Sequence, residues 1–365
     1  MERIKHRFML VMGYLGAVIG AGFASGQEIV QFFVTYGSYG ARGVALATVL
    51  FALCGGLLLY LAHVQKVANY QDMLGYLLGP RLGHAVDFLL AIFLFLGIST
   101  MLSASGAVFY EHLYLSKTLG IFLAYVLIVA LLVAGKKGLI LSYNILVPVK
   151  IVLLLIISGY AAFFVEDNQL EITAFSLNAQ DSWNWLVASI LYVAYNFALA
   201  MVVLTEYQSV TNKRGGISGA AWGGLLLGGL VTINYISLCK FLPGVMHYQV
   251  PMLYVAGHIN LTAKHLYTIV LWLGIITTAI ANAYGFAQRF SKLTGLSYGV
   301  CLFLCMTMAL PLSMQSFSSL VSKIYPVFGI LGVSIIIALL YRAIKEILLE
   351  LYYRVIQLLT SIKEV

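Results

Sequence analysis

The chain has 365 residues, of which 62% are hydrophobic and only 9% are charged, against about 25% charged in an ordinary soluble domain. So few charges cannot cover a water-facing surface, which excludes a soluble enzyme, a disordered chain and a collagen-like chain. The formal net charge of +8 would raise the question of a nucleic-acid partner in a soluble protein; here the distribution of charge along the chain reports membrane topology instead.

A helix that crosses a bilayer needs about 20 apolar residues. Polar and charged breaks divide the chain into ten such segments, near 8–36, 40–64, 85–111, 116–134, 139–164, 183–207, 217–242, 264–289, 295–313 and 318–341. The basic start MERIKHR leads into an apolar run too long for a cleaved signal, so the first segment reads as a retained span. Between the second and third segments, QKVANYQDMLGYLLGPRLGH is a short amphipathic cytoplasmic loop ending at Gly79-Pro80. The loop EDNQLEITAFSLNAQD, between the fifth and sixth, carries four acids and no base and is expected outside. A longer connection between the seventh and eighth contains Pro243, Pro251 and an apolar piece from Met252 to Ala256. After the tenth, apolar residues recur at Ile344, Leu348, Leu351, Val355, Leu358 and Ile362, interrupted by Lys345, Glu350 and Arg354. That pattern predicts an interfacial amphipathic helix over 344–365 rather than an eleventh span.

Cytoplasmic connections carry an excess of Lys and Arg. With the N-terminus inside, the inner side collects Arg3, Lys5, Arg7, Lys66, Arg81, Lys136, Lys137, Lys213, Arg214, Arg289, Lys292, Arg342, Lys345, Arg354 and Lys363. The outer side collects only Arg42, Lys117, Lys240 and Lys264. One missed or invented span near the middle would destroy this asymmetry, so the expectation is ten spans with both termini cytoplasmic. A multi-pass protein of a cell membrane is predicted, with the lipid bilayer as partner and no nucleic acid.

The first span contains Gly16-Ala17-Val18-Ile19-Gly20-Ala21-Gly22-Phe23-Ala24-Ser25-Gly26-Gln27-Glu28. Each glycine at mid-membrane weakens a helix by about 1 kcal/mol relative to alanine. Close helix packing accounts for Gly16 and Gly20, but not for Ser25, Gln27 and Glu28 directly afterwards, because an acid inside a span is costly and usually functional. The stretch predicts a helix broken around Gly20 to Gly22, whose second half begins near Phe23 with free backbone N–H groups facing an anion.

The string GAVIGAGF resembles the GxxIGxGIF pattern in the first span of amino acid–polyamine–organocation transporters. The longer GAVIGAGFASGQEIVQFF is similar to the YkvI-like group of bacterial membrane proteins within that superfamily. The resemblance implies a secondary transporter of a small-molecule substrate, a small amino acid or organic amine, in a bacterial cell membrane, with one domain over 1–343 built as two inverted five-helix repeats of the LeuT type (8–164 and 183–341) and helices 1 and 6 broken. The site is then expected between spans 1 and 6, flanked by spans 3 and 8. A substrate carboxylate would meet the backbone around Gly20, Ala21, Gly22, Phe23, Ala24 and Ser25, and its amine the carbonyls near Tyr195 and Asn196. Span 6, WLVASILYVAYNFALAMVVLTEYQ, departs from the family because it has no glycine at its centre. Glu28, close to the site, would favour cationic substrates or stand in an outer vestibule.

Lys150 lies in NILVPVKIVLLLIIS, too far from either end of span 5 to reach water, and must be paired, neutral or beside polar groups; Pro148 can kink the same helix. Proton-coupled members of the superfamily carry a lysine on this span whose ammonium replaces a sodium ion, and Lys150 looks like that residue. Sodium-coupled relatives use a hydroxyl pair on span 8 instead, matched in position by Thr277 and Thr278, with Asn282 one turn further on. A proton is the expected coupling ion, sodium the alternative, and no other cofactor is implied. On span 3, Thr100 and Ser103 belong to a hydroxyl stripe with Ser99 and Ser105 that is expected to line the substrate path or join helices. Gly219, Gly223, Gly224, Gly228 and Gly229 on span 7 read as packing surfaces.

The four cysteines, Cys54, Cys239, Cys301 and Cys305, form no CxxC pair and read as packing residues. Without a Walker motif, nucleophile elbow, HExxH or metal-ligand cluster, enzymatic chemistry and ATP-driven pumping are not expected. The rival from another class is a ligand sensor on a transporter fold, as in germinant-receptor subunits of the same superfamily, which would bind substrate without flux.

Overall fold

The computed structural model describes residues 2–67, 69–133, 136–165 and 183–363, with side chains described for 6–67, 69–133, 149–165 and 183–353. The acidic loop 166–181 lies outside the described residues. Each of the ten expected segments coincides with helix, and among the described residues there is no strand.

The first segment is broken twice. Helix α1 (Glu2–Val18) stops where Gly20 is extended, α2 (Ala21–Ser25) lasts five residues, and α3 (Gln27–Phe32) starts after Gly26, whose φ of +83° is left-handed. Only glycine adopts that backbone without a steric cost. Helix α4 (Ser38–Gln65) follows, then the short α5 (Tyr70–Leu78), whose first turn is capped by the Asn69 side chain accepting from the Asp72 N–H. Pro80 opens α6 (Pro80–His112), where its missing N–H costs nothing. Helices α7 (Lys117–Val133) and α8 (Lys136–Phe164) complete the first half.

In the second half, α9 (Asn184–Leu204) passes into a 3-10 turn over Thr205–Ser209. Asn212 caps α10 (Lys213–Cys239). The apolar piece of the next connection forms α11 (Pro251–Ile259), with Met252, Leu253, Val255 and Ala256 buried. Asn260 caps α12 (Leu261–Thr294), which ends at Gly295, and α13 (Tyr298–Ser313) and α14 (Phe317–Lys363) follow.

Six of these stretches are long and apolar enough to cross a membrane: Ser38–Gln65, Pro80–His112, Asn184–Ser209, Lys213–Cys239, Leu261–Thr294 and Phe317–Tyr353. Large apolar side chains such as Phe122, Phe163, Phe303 and Ile337 stand exposed on the outside of the bundle. An apolar exterior of this kind suits lipid and not water.

Two expectations need correction. Span 6 is not broken at its centre: α9 runs without interruption through Tyr195 and Asn196. No glycine interrupts it, and Asn196 Nδ2 donates to the Tyr192 carbonyl 3.0 Å away, one turn back in the same helix. The tail is also not a separate helix, because α14 continues span 10 from Phe317 to Lys363. Glu346 accepts from Gln65 Nε2 and the Tyr76 hydroxyl, each at 3.0 Å, and Glu350 accepts from the Tyr60 hydroxyl at 2.9 Å and Lys213 Nζ at 3.3 Å. Those two acids, four residues apart on one helix face, fasten the extension to α4, α5 and α10, so nothing divides the tenth span from its tail near residue 343.

Small residues decide how closely the helices cross. A Cβ on Gly224 would overlap the backbone of Ala52, and one on Gly228 would overlap Thr48, which brings α10 directly against α4. Gly223 stands 3.0 Å from the Tyr14 ring by the same construction, whereas a Cβ on Gly229 would meet nothing within 4 Å. Four of the five span 7 glycines therefore face neighbours and Gly229 does not. On α14, a Cβ on Gly332 would overlap the Ala194 carbonyl of α9. Cys54, Cys301 and Cys305 are buried and, with Cys239, free.

Candidate functional site

The break in the first segment exposes carbonyls that a continuous helix would have used, and buried carbonyls need donors. Four of them find a side-chain donor from another element or from the break itself. Lys150 Nζ donates to the Ile19 carbonyl at 2.6 Å, and the Tyr267 hydroxyl donates to the Ala24 carbonyl at 2.6 Å. Asn234 Nδ2 reaches the Phe23 carbonyl at 3.4 Å, with its Oδ1 accepting from the Ser158 hydroxyl at 3.1 Å. Ser25 closes the set locally, donating to the Gly22 carbonyl at 2.8 Å. A break built this way is held open by α8, α10 and α12 together.

Beside the break lies a cavity of about 1010 Å³. Its inner wall brings together Gly20, Ala21, Gly22 and Glu28 from the broken segment, Lys150 from α8, Tyr195 and Asn196 from α9, and Thr277, Thr278 and Asn282 from α12. Apolar side chains such as Met12, Leu90, Phe93, Leu199 and Val202 cover much of the rest. From there it runs to the end of the bundle that carries the start of α1, where Tyr70, Gln71, Gln288, Arg289 and Lys292 surround it. At that end Asp87 Oδ1 accepts from the Tyr70 hydroxyl at 2.7 Å and from Arg289 at 3.1 Å, and Arg289 also donates to the Tyr70 hydroxyl. Helices α5, α6 and α12 are thereby tied at the mouth. Burial pushes the Tyr70 phenol above its ordinary value, and the hydrogen bond to Asp87 adds to the effect.

Lys150 is 4% exposed, and its stem passes against α12, where a Cβ on Gly274 would sit 3.0 Å from Lys150 Cδ. Thr277 and Thr278 both donate to the Gly274 carbonyl, at 2.9 and 3.0 Å, which leaves their oxygens free to accept. Asn282 packs over Gly97 of α6. Glu28 is also 4% exposed; its Oε2 accepts from the Tyr195 hydroxyl at 2.5 Å, and a Cβ on Gly22 would overlap its carboxylate.

Five expected residues are placed elsewhere. Phe23, Ala24 and Ser25 are buried behind the break and do not line the cavity. Thr100 is also away from it and donates to the Leu96 carbonyl of its own helix. Ser103 faces the opposite end of the bundle and donates to the Gln315 carbonyl at 2.5 Å. The short α2 carries no free helix end long enough to hold an anion, and the group resting against Gly22 is the protein's own Glu28.

Residues that sequence reasoning passed over are Phe93 and Tyr325, which face the cavity beside Tyr195, and Asp87 with Arg289 at its mouth. Rings in apolar helices give no signal that separates lining from packing, whereas Asp87, an acid inside the third segment, was a visible one.

No family model matches the chain. It is 29% identical to the uncharacterised membrane protein YkvI of Bacillus subtilis (strain 168) over 335 residues, covering 91% of this chain and 95% of that one. It is 26% identical to the uncharacterised protein YyaD of the same organism over 339 residues, covering 93% and 96%. Among solved structures, a manganese transporter of Eremococcus coleocola, in complex with an aromatic bis-isothiourea substituted compound, superposes with a TM-score of 0.54. That match has 11% identity and covers 89% of this chain and 76% of that one; a mutant of the same transporter gives 0.52 at the same identity and coverage. At such low identity the likeness is one of fold. The chain has multiple apolar spans and is similar along nearly its whole length to the membrane protein YkvI.

Proposed function

We propose that the chain is an alternating-access secondary transporter of a small amino acid or organic amine, coupled to protons through Lys150, with ten spans arranged as two inverted five-helix repeats. The observation that carries this reading is the 2.6 Å bond from Lys150 Nζ to the Ile19 carbonyl, the last carbonyl before the break, inside a large cavity. As an ammonium, Lys150 ties α8 to the end of α1. Once it loses a proton the attraction to that carbonyl weakens, and the two elements are free to separate. A single proton would then change both the charge of the cavity and the hold on the helix that must move. By the positive-inside distribution the cavity mouth is cytoplasmic, so this is the inward-facing arrangement.

Sodium is the second reading, favoured by Thr277 and Thr278, which line the same cavity. The fold relative transports manganese, and hard dications take several oxygen ligands, carboxylates above all. Among the described residues no group of three His, Cys, Asp or Glu stands together, and the described lining sets one carboxylate, Glu28, among aromatic and apolar side chains, which suits an organic ammonium better than a dication.

The test is uptake of labelled amines and amino acids into proteoliposomes under imposed pH or sodium gradients. Wild-type accumulation should follow the pH gradient, and Lys150→Ala should lose at least 90% of it while downhill exchange continues. Full pH dependence in that variant would overturn proton coupling through Lys150. Dependence on sodium alone would favour the threonine pair, and binding without flux would favour a sensor.

A further inference from the structure

Three aromatic rings meet beside Glu28 in the cavity wall. Tyr195 and Tyr325 have centroids 5.0 Å apart, Phe93 and Tyr325 5.8 Å, and Phe93 and Tyr195 6.4 Å, so one ring each from α6, α9 and α14 closes a triangle. The Tyr195 hydroxyl delivers its hydrogen bond to Glu28 Oε2, which places a carboxylate at one vertex. Phe32 packs tilted and Tyr192 edge-on behind Tyr195, at 5.7 and 5.8 Å, and together they hold its ring in place. Among the described residues no Lys, Arg or His pairs with Glu28. A buried carboxylate with no cation partner is costly to keep, and aromatic faces attract ammonium ions.

The same geometry argues against a substrate carboxylate. The space over Gly22, where one would be expected in this fold, is taken by the Glu28 carboxylate, and a second anion there would be repelled. Lys150 does not offset this: it is bonded to Ile19 on the α1 side of the break, whereas Glu28 rests against Gly22 on the α2 side. We propose that Glu28, Phe93, Tyr195 and Tyr325 form the ammonium subsite for an organic amine that has an apolar body and no carboxylate. The apolar remainder of the cavity, including Leu90, Leu199 and Val202, receives that body. This rests on the reading of the cavity as the substrate site and narrows its substrate class.

The experiment is equilibrium binding to the purified full-length protein of matched pairs that differ only in the carboxylate: phenethylamine against phenylalanine, and isoamylamine against leucine. The amines should bind at least tenfold tighter than their amino acids in the wild-type protein. Glu28→Gln, checked for a monodisperse elution profile, should weaken the amines at least tenfold. Should that variant fail to fold, the wild-type comparison decides alone. Equal or tighter binding of the amino acids would overturn the proposal, as would no binding by either amine at millimolar concentration or displacement of bound amine by lower concentrations of manganese chloride. Uptake into proteoliposomes separates this from the transport reading. Amine binding without flux would leave the subsite standing and remove transport, whereas flux of amino acids with rejection of amines would remove the subsite and leave transport.

Discussion

At the scale of the residue, the broken first segment depends on two glycines for different reasons. Gly26 has a left-handed backbone, and a Cβ there would stand 2.9 Å from Met252 Cγ. Gly26→Ala should therefore cost about 1–2 kcal/mol from the backbone conformation alone, more with the contact, read as a lower melting temperature in detergent. A melting temperature equal to wild type would contradict the left-handed turn. Gly22 gives room to a carboxylate instead. Much of this was legible in the sequence, because an acid, an amide and four glycines inside a span conflict with membrane burial whatever the fold. Lys150 was legible on the same ground. Thr100 and Ser103 do not line the cavity, and the sequence left their place open because a hydroxyl is tolerated on any face of a membrane helix, where it can bond back to its own backbone as Thr100 does or join another element as Ser103 does. Phe93 and Tyr325 left no trace, since a ring at the wall of a cavity looks the same in sequence as a ring in a core.

At the scale of the element, close packing through small residues distinguishes faces that composition alone treats alike. Gly228→Leu should force α10 away from Thr48 of α4 and destabilise the fold by about 1–3 kcal/mol, as overpacking does. Gly229→Leu, next to it in sequence but without a neighbour within 4 Å, should leave the melting temperature nearly unchanged. Equal effects of the two would mean that the α4–α10 crossing is misplaced. The sequence identified this glycine run as a packing surface but carried no phase, and phase is what separates Gly228 from Gly229. The boundary at Gly79-Pro80 was legible because a proline marks it, whereas Asn212 and Asn260 cap their helices a few residues before the expected starts at 217 and 264. The junction after span 10 was not legible, because Glu350 reads as part of an interfacial surface when it is in fact, like Glu346, a contact to other helices. Sequence shows that a charge is present and not what it will meet.

At the scale of the whole molecule, two hollows lie on opposite sides of one aromatic layer. The large cavity ends at Glu28 and Tyr195, and a second hollow of about 200 Å³, lined by Gln31, Tyr36, Asn184 and Pro326, approaches from the other end of the bundle; Phe32 borders it and packs on Tyr195. If the mouth of the large cavity is cytoplasmic, Gln288→Cys in inside-out vesicles should react with a membrane-impermeant thiol reagent, and Asn184→Cys should react in right-side-out vesicles. The reverse pattern would invert the topology. Charge counting is what predicts this orientation, because lysines and arginines obey the membrane and not the fold. The sealing layer was beyond its reach, since it exists only once α3, α6, α9 and α14 are brought together.

The continuity of α14 has a mechanical consequence. At 1.5 Å per residue its 47 residues make a rod about 70 Å long, of which a bilayer accounts for only about 30 Å. The remainder is a lever arm on the same shaft as Tyr325, which closes the aromatic triangle. A tilt of about 10° in the buried part, of the size expected for rocking between two faces of a membrane, would swing the far end through several ångströms. Glu346 and Glu350 are the brackets that share this swing with α4, α5 and α10. Were the bundle to rock as proposed, the opening of a chamber deep in the membrane would be geared to a displacement outside it.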